Sequence, residues 1–246
     1  MNLKNQPALV TGGAIRIGKA IALELAKAGC PIALHYRKSR AEALATQRQI
    51  LDLGVDCGLY RADLSKAAAV RALGRKVLKD FGSVPILVNS AAIFPRVPLE
   101  KAKVADFDLP YQVNLRAPAL LTQVLGLAQF KRKRPGRIIN IADVGAGLAW
   151  PGYLPYSLSK AGVLQLTRAS AAALAPYVLV NSVSPGPILM PDKHSKAQLA
   201  SSLKRSLLKK LGGAEEIARA VRFLAESDFI TGTDLVVDGG RKLVGG

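Results

Sequence analysis

The sequence is poor in acidic residues, cysteine and histidine, and it contains no long apolar run. Its 246 residues include only 17 acidic side chains against 35 basic ones, with two cysteines and two histidines. No stretch approaches the roughly 20 consecutive apolar residues that a membrane helix needs. Cys30 and Cys57 are far apart in apolar surroundings, which is not typical of a disulfide framework or a metal site. We therefore expect no membrane span and no metal, and two buried free thiols in a reducing compartment.

No targeting segment is expected at the N-terminus. Residues 1–7 lead directly into the apolar residues 8–10, which leaves no room for the regions of a secretory signal. A cytoplasmic protein is therefore expected. Half of the residues are hydrophobic, and the length fits one α/β domain with a large core.

The shortage of acidic residues gives a formal net charge of +18, which favours anionic partners. Nucleic acid, NADPH, folates and acidic carrier proteins are all anionic, so charge alone does not choose among them. The basic clusters at 131–134 and 204–210 have no interleaved aromatic residues for stacking on bases. Such clusters are usually solvated surface, so nucleic acid is not the expected partner.

Short apolar runs alternate with longer amphipathic stretches along the chain. This alternation predicts one Rossmann-like α/β domain over residues 1–246, a doubly wound parallel sheet of about seven strands with helices on both faces. The stretch 185–213 follows the sixth strand, where ligands bind in open α/β sheets. It is predicted to be a substrate lid or, alternatively, an ordinary pair of surface helices. The predicted strands are 8–11, 31–36, 57–61, 85–89, 137–141, 178–184 and 235–238, and the predicted helices lie near 18–28, 41–53, 66–80, 107–130, 156–175 and 214–226.

A glycine-rich turn at 11–18 joins the first predicted strand to the first helix. Glycines at such a place allow a tight turn and a close approach to a pyrophosphate, which the free N–H groups of the helix N-terminus then bind. The second strand runs into Arg37-Lys38-Ser39, with no acidic residue before Glu42. NAD enzymes place an acidic residue here for the ribose 2′-hydroxyl, whereas cations and a hydroxyl suit the 2′-phosphate of NADP. NADPH is therefore the expected cofactor.

Tyr156 and Lys160 are four residues apart in a predicted helix, so they share one face. A nearby cation favours the phenolate, and we expect Lys160 to lower the pKa of Tyr156 from about 10 toward neutrality. Tyr156 would then serve as a general acid for an atom that receives a proton as hydride arrives.

Together these motifs resemble the short-chain dehydrogenase/reductase family, whose turn reads T-G-x-x-x-G-x-G and whose active site reads Y-x-x-x-K. The resemblance covers nearly the whole chain and is greatest to the pteridine reductases and related dihydropteridine and dihydrofolate reductases. In that subgroup an arginine replaces the middle glycine of the turn, and this sequence has Arg16 at that position. Asp143 stands 13 residues before Tyr156, where most members have serine. Ile15, where related turns often carry a basic residue, and Ala92, in place of a glycine, are departures from the pattern.

The resemblance implies a role for each matching residue. Asp143 and Tyr156 deliver protons, Lys160 activates Tyr156 and binds the nicotinamide ribose, and Asn114 anchors a water of the proton relay. Phe94 stacks on the pterin, and Arg16, Asp143 and Tyr156 also contact the substrate. In related reductases the helices equivalent to 107–130 and 156–175 pair between subunits, so a homotetramer, or failing that a dimer, is expected. The implied cofactor contacts are Gly12, Arg16, Ile17, Gly18, Tyr36, Arg37, Lys38, Ser39, Asp63, Leu64, Asn89, Ala91, Tyr156, Lys160, Pro185 and Gly186.

The carboxyl group at position 143 decides among the possible substrates. A carboxylate cannot donate a hydrogen bond unless protonated, so Asp143 suits ring N–H, amino groups and ring nitrogens better than a ketone oxygen. We therefore expect NADPH-dependent reduction of a dihydropterin, dihydrofolate or oxidised pterin. Two alternatives remain open. One is a 3-oxoacyl-carrier-protein or general carbonyl reductase, and the other is an inactive basic protein that binds NADPH or nucleic acid.

Overall fold

The computed structural model describes residues 1–188, 203 and 206–244. Within these residues, seven strands form one parallel sheet in the order β3-β2-β1-β4-β5-β6-β7. The predicted fold is confirmed, and each strand begins and ends within one residue of its predicted bounds. The strands are β1 (Ala8–Val10), β2 (Ile32–Tyr36), β3 (Cys57–Arg61), β4 (Ile86–Asn89), β5 (Gly136–Ile141), β6 (Val178–Pro185) and β7 (Asp234–Val237).

Helices cover both faces of the sheet, so β1, β2, β4 and β5 are buried along their whole length. Successive residues of a strand point to opposite faces. Val10 and Leu34 therefore belong to the core under α1 (Arg16–Lys27), α2 (Arg40–Leu51) and α8 (Ala214–Glu226). Leu9 and Ala33 belong to the core under α3 (Ala67–Phe81) and α7 (Leu154–Leu174), together with the helical segment that follows β4.

That helical segment differs from the single helix predicted near 107–130. It contains α4 (Val104–Pro110), α5 (Ala117–Leu121) and α6 (Leu127–Lys131), separated by wider π-helical turns at Tyr111–Arg116 and Thr122–Gly126. Two prolines provide a physical reason, since a proline cannot donate the backbone hydrogen bond to the residue four positions earlier. Pro118 stands four residues after Asn114, so the carbonyl of Asn114 has no α-helical donor. Single π-helical turns of this kind frequently lie at functional sites.

Several predictions concern the rest of the chain. Cys30 and Cys57 are buried free thiols, as predicted, and burial raises the pKa of each to about 12. In residues 1–188, 203 and 206–244 there is no cluster of three or more His, Cys, Asp or Glu side chains fit for a metal. No helix of this part of the chain is long and apolar enough to cross a membrane. Most of the lid predicted at 185–213, namely 189–202, 204 and 205, lies outside the described residues.

Candidate active site

The candidate site lies at the carboxyl ends of the strands, where the sheet order reverses between β1 and β4. In open α/β sheets ligands bind in the crevice at such a reversal. A cavity of about 390 Å³ occupies this position. It is lined by Gly12, Ala14, Ile15, Arg16, Ile17, Gly18, His35, Tyr36, Arg37, Lys38, Ser39, Asp63, Leu64, Ser90, Ala91, Ala92, Ile93 and Val113.

The glycine-rich turn has no space for side chains at its two ends. Gly12 has φ +65°, and a Cβ atom there would lie 2.9 Å from the Cα of Ala91. A Cβ atom at Gly18 would collide with the carbonyl oxygen of Gly12. The turn therefore presents bare backbone to the cavity at the N-terminus of α1, an arrangement that suits a pyrophosphate.

Arg16 adopts a left-handed backbone conformation with φ +52°. This conformation costs a residue with a side chain roughly 1–2 kcal/mol, which explains why glycine is usual at this position of the turn. Strain of this kind persists where the surroundings fix it and is concentrated at functional sites. Arg16 also lines the cavity, as its predicted contacts with cofactor and substrate require.

His35 is a site residue that the sequence reasoning did not single out. Its Nδ1 accepts a hydrogen bond from the backbone N–H of Gly12 at 3.1 Å, and its Nε2 lies 3.2 Å from the carbonyl oxygen of Ala62. Burial lowers the pKa of His35 to about 4, so the ring is neutral at pH 7 and its Nε2–H donates to Ala62. One buried ring thus joins the glycine-rich turn to the loop that carries Asp63. A histidine inside the apolar strand β2 was the signal for it.

Thr11 is a second residue that was missed. Its hydroxyl oxygen accepts hydrogen bonds from the backbone N–H groups of Ser90 and Ala91, at 2.9 and 3.1 Å. The same hydroxyl donates to the carbonyl oxygen of Val88 at 3.3 Å. Thr11 therefore holds the start of the turn against the residues that follow β4. Gly12, Ser90 and Ala91 on the two sides of this contact line the cavity.

The basic corner of the cavity is formed by Arg37, Lys38 and Ser39 at the end of β2. The Nε of Arg37 lies 3.8 Å from Asp63, whose carboxylate also accepts hydrogen bonds from the N–H and hydroxyl of Ser65. These hydrogen bonds from Ser65 and, less strongly, Arg37 lower the pKa of Asp63. An ion pair this long and this exposed is weak, so an incoming phosphate can replace it as the partner of Arg37.

Three of the four catalytic candidates, Asp143, Tyr156 and Lys160, meet between β5 and α7. The hydroxyl of Tyr156 donates a hydrogen bond to Asp143 at 2.7 Å, and the other carboxyl oxygen of Asp143 accepts one from the N–H of Gly145 at 2.6 Å. The ammonium group of Lys160 donates to the carbonyl oxygen of Ile141 at 2.6 Å and lies 5.9 Å from the centre of the Tyr156 ring. The sequence spacing thus brought Asp143, Tyr156 and Lys160 together as predicted.

The electrostatics of this cluster correct one prediction. Burial and the neighbouring carboxylate of Asp143 raise the pKa of Tyr156 well above its usual value, so the expected lowering by Lys160 is wrong. Burial also raises the pKa of Asp143 and lowers that of Lys160 to about 8. Tyr156 therefore carries its proton at neutral pH and donates it in the hydrogen bond to Asp143, and Lys160, with a pKa of about 8, is still mostly protonated there.

Asn114 fixes the loop after β4 against α7. Its side-chain oxygen accepts from the N–H of Ile93 at 2.9 Å, and its amide donates to the Ile93 carbonyl and to Ser159, both at 3.0 Å. Ser159 in turn donates to the carbonyl of Tyr156 at 2.6 Å. These hydrogen bonds position α7, and the water that Asn114 is predicted to anchor stays a prediction.

Three aromatic residues pack against one another beside Tyr156, and one of them, Phe94, contacts its ring. Phe94 is 55% exposed and stacks on Tyr153, with ring centres 4.4 Å apart and an interplanar angle of 8°. The Phe94 ring also meets the Tyr156 ring edge-on, with ring centres 4.5 Å apart, and the centre of the Trp150 ring lies 6.4 Å from that of Phe94. The sequence did not show which way Trp150 and Tyr153 point. The structure brings them together with Phe94, and we call Phe94, Trp150 and Tyr153 the aromatic cluster.

Some predicted contacts do not line the described cavity. The side chain of Asn89 is 4% exposed and donates to Asn140 at 2.8 Å beneath the cavity floor. Pro185 and Gly186 lie at the end of β6, where a Cβ at Gly186 would collide with Asp238. Their cofactor contacts stay predictions.

Comparisons with known proteins identify relatives across almost the full length of the chain. A family model described as enoyl-(acyl carrier protein) reductase matches residues 13–242. The 3-oxoacyl-(acyl-carrier-protein) reductase FabG of Staphylococcus epidermidis is 35% identical over 244 residues, which are 97% of this chain and 100% of that protein.

Two solved structures with a bound cofactor are also similar. FolM alternative dihydrofolate reductase 1 from Brucella canis, complexed with NADP, has a TM-score of 0.90 and 33% identity, covering 99% of this chain and 96% of that one. A blue fluorescent protein from a metagenomic library, in complex with NADPH, has a TM-score of 0.90 and 32% identity, covering 98% of this chain and 99% of that one.

Proposed function

The chain belongs to the short-chain dehydrogenase/reductase family, and from that premise we propose that it reduces a pterin of the dihydropterin or dihydrofolate class with NADPH. Members of the family are NAD(P)-dependent oxidoreductases that act on small molecules. Its assignment as such an oxidoreductase does not depend on which substrate it takes.

NADP(H) is the cofactor, and the described residues fit it. The bare backbone of the turn at 12–18 faces the position of a pyrophosphate, and Arg37, Lys38 and Ser39 offer two cations and a hydroxyl to a 2′-phosphate. Lys160 lies beside Tyr156, where it binds the nicotinamide ribose. When bound, NADPH supplies the hydride.

The chain's own residues hold the proton and deliver it to the substrate. Reduction of a C=N bond places hydride on carbon and needs one proton on nitrogen. Tyr156 holds that proton on its hydroxyl and delivers it to the ring nitrogen. Asp143, as a carboxylate, accepts hydrogen bonds from donor groups of the pterin. Burial raises its pKa, which favours the uptake of a proton from water and its transfer to Tyr156 after the reduction. Lys160 balances the charge that develops on the tyrosine oxygen.

One observation carries the pterin proposal: the carboxyl group of Asp143 is hydrogen-bonded to Tyr156 beneath the aromatic cluster. A flat heteroaromatic ring can stack on Phe94 while its N–H and amino groups meet the carboxylate. A ketone oxygen needs a donor at this position, and an ionised Asp143 cannot provide one.

Reduction of a 3-oxoacyl thioester is the second candidate, favoured by the similarity to FabG. The basic surface also suits an acidic carrier protein. The third hypothesis, an inactive binding protein, predicts NADPH or nucleic-acid binding with no turnover.

A substrate panel tests the proposal directly. The purified protein is incubated with NADPH and, separately, dihydrobiopterin, dihydrofolate and acetoacetyl thioesters, and oxidation of NADPH is followed by absorbance. We expect kcat/KM for the pterins to exceed that for the thioesters. Faster thioester reduction would establish the second candidate, and no turnover with any substrate would support the third.

Cofactor choice depends on the basic corner of the cavity. Charge-assisted hydrogen bonds are worth about 1.5–3 kcal/mol each, so NADPH is expected to bind roughly tenfold or more tightly than NADH. Arg37→Asp should shrink or reverse this preference, measured as the ratio of dissociation constants by fluorescence titration. Arg75→Asp on the exposed side of α3 is the control with the same change of charge. Equal affinities for both cofactors in the unchanged protein would contradict the assignment.

Assembly is the remaining proposal about the whole protein. Apolar side chains on the segment from α4 to α7 are exposed in the isolated chain, among them Val104 at 78%, Leu158 at 54% and Tyr111 at 51%. Exposed apolar surface of this kind favours association, and a homotetramer with two-fold axes is expected, or else a dimer. Light scattering at micromolar concentration measures the mass, and a monomer mass would contradict the proposal.

A further inference from the structure

Two exposed cations, Arg96 and Lys242, stand beside the loop that carries Trp150 and Tyr153 of the aromatic cluster. The segment after Phe94 pairs with this loop through a bridge between Val97 and Tyr153. This pairing brings the side chain of Arg96 against Gly152, where a Cβ atom would lie 3.5 Å from the guanidinium Nε. Arg96 and Phe94 therefore both face the 150–153 loop, one through its charge and the other through its ring.

The second cation approaches the same loop from the C-terminal part of the chain. A Cβ atom at Gly147 would lie 3.8 Å from the Cε of Lys242. The backbone N–H of Lys242 donates to Asp238 at 2.6 Å, which fixes this residue on its short helical turn. Lys242 thus approaches the loop between Asp143 and Tyr153 at Gly147, and Arg96 approaches it at Gly152.

No carboxylate neutralises these two cations within the part of the chain that the structure describes. Every acidic side chain that forms an ion pair there is held by another cation or by the N-terminus. Asp238 meets backbone N–H groups of the turn. A guanidinium is planar and binds carboxylates and phosphates with two parallel hydrogen bonds. The guanidinium of Arg96 and the ammonium of Lys242, against the loop next to Phe94 and Tyr156, supply the chemistry to bind an anion.

We propose that Arg96, assisted by Lys242, is an anion-binding position at the substrate entrance that recognises a carboxylate or phosphate on the part of the substrate remote from the reacting ring. The inference rests on the proposed function for the place where the substrate enters, beside Phe94 and Tyr156. Arg96 in this role favours folate-type substrates with a carboxylate-bearing tail over pterins with a small neutral side chain. A thioester carried on a phosphate-bearing group has the same anionic chemistry.

The experiment compares a charged and a neutral member within each substrate class. The pterin pair is dihydrofolate and dihydrobiopterin, and the thioester pair is acetoacetyl-coenzyme A and the N-acetylcysteamine thioester of acetoacetate. KM and kcat are measured for the unchanged protein and for Arg96→Gln, Arg96→Lys and Lys242→Gln. Lys131→Gln removes the same charge at the end of α6, near the amino ends of the strands and away from the site, and serves as the control.

Arg96→Gln is expected to raise KM for the charged member about tenfold, the effect of one lost charge-assisted contact. KM for the neutral member and kcat for both should change less than about twofold, and Arg96→Lys should recover part of the loss. Lys242→Gln should have a smaller effect in the same direction. The control should shift neither member, because a remote charge is screened at physiological salt.

The outcomes separate this inference from the proposed function. Turnover of thioesters but not pterins would overturn pterin reduction, and the thioester pair would then test Arg96. An equal rise of KM for the charged and neutral members would overturn the anion-binding role, as would an equal effect of Lys131→Gln. If neither class is turned over, calorimetry of dihydrofolate and dihydrobiopterin binding to the NADP-loaded protein replaces KM. Failure of dihydrofolate to bind more tightly than dihydrobiopterin would overturn the inference.

Discussion

Replacement of Tyr156 with phenylalanine is expected to lower kcat by about 10²-fold or more, because it removes the proton that the tyrosine hydroxyl delivers while keeping the ring in place. The hydroxyl is the only group that Phe lacks, and it lies 2.7 Å from Asp143. The ring edge that contacts Phe94 is unchanged. NADPH binding should therefore remain nearly intact, so that the loss falls on kcat.

The measurement combines steady-state kinetics with a fluorescence titration of NADPH for Tyr156→Phe and for a control variant. Tyr177→Phe removes a hydroxyl from a partly buried tyrosine that packs against Phe130. Tyr177 lies just before β6, at the amino ends of the strands, whereas the site lies at their carboxyl ends. It should leave kcat unchanged. Near-normal turnover by Tyr156→Phe would mean that another group delivers the proton.

Lys160 adds a pH signature to this result. Burial lowers its pKa to about 8, so the ammonium form is present below that pH and is lost above it. If the cation balances charge on the Tyr156 oxygen, kcat should fall as the pH rises through about 8. Lys160→Ala should lower kcat and weaken NADPH binding together, because the side chain is assigned both tasks. A kcat profile that stays level up to pH 10 would argue against a role for the ammonium charge.

The fold was predictable because buried strands and amphipathic helices each have a pattern of apolar residues that short stretches of sequence show. Parallel strands covered on both faces are short and mostly apolar, and this is why β1 and β4 could be placed to within one residue. The break in the helix near 107–130 was not predicted, although Pro110 and Pro118 were its signal. A proline inside an otherwise helical pattern does not reveal whether the helix ends, bends or widens into a π-helical turn.

The site was predictable where a fixed spacing determines the geometry, as for Tyr156 and Lys160 on one helix face. It was not predictable where burial and distant contacts decide. The pKa of Tyr156 depends on how deeply the tertiary fold buries it and on the carboxylate of Asp143, and neither follows from the helical spacing. The link from Gly12 through His35 to Ala62 joins three separate strand ends, so no short motif announces it.

Replacement of Asp143 with serine is expected to change the substrate class. For a pterin, the variant loses the acceptor of ring N–H and amino groups and the proton reservoir beside Tyr156, so kcat/KM should fall by roughly 10- to 100-fold. For a 3-oxoacyl thioester, the new hydroxyl can donate to the ketone oxygen, so reduction should improve. The fold should survive, because a serine oxygen can still accept from the N–H of Gly145, as Asp143 does.

A second variant separates recognition of the ring from proton delivery. Phe94→Ala removes a stacking surface that acts on ground state and transition state alike, so it should raise KM for pterins several-fold and leave kcat nearly unchanged. Asp52→Ser, at the exposed C-terminal end of α2, removes the same carboxylate far from the site and should affect neither substrate. Both substrate classes are assayed with each variant, and NADPH binding reports whether the cavity is intact. If Asp143→Ser gains ketone reduction without losing pterin reduction, the carboxyl group is not what selects a pterin. In that case, the similarity to 3-oxoacyl reductases becomes the better guide to the substrate.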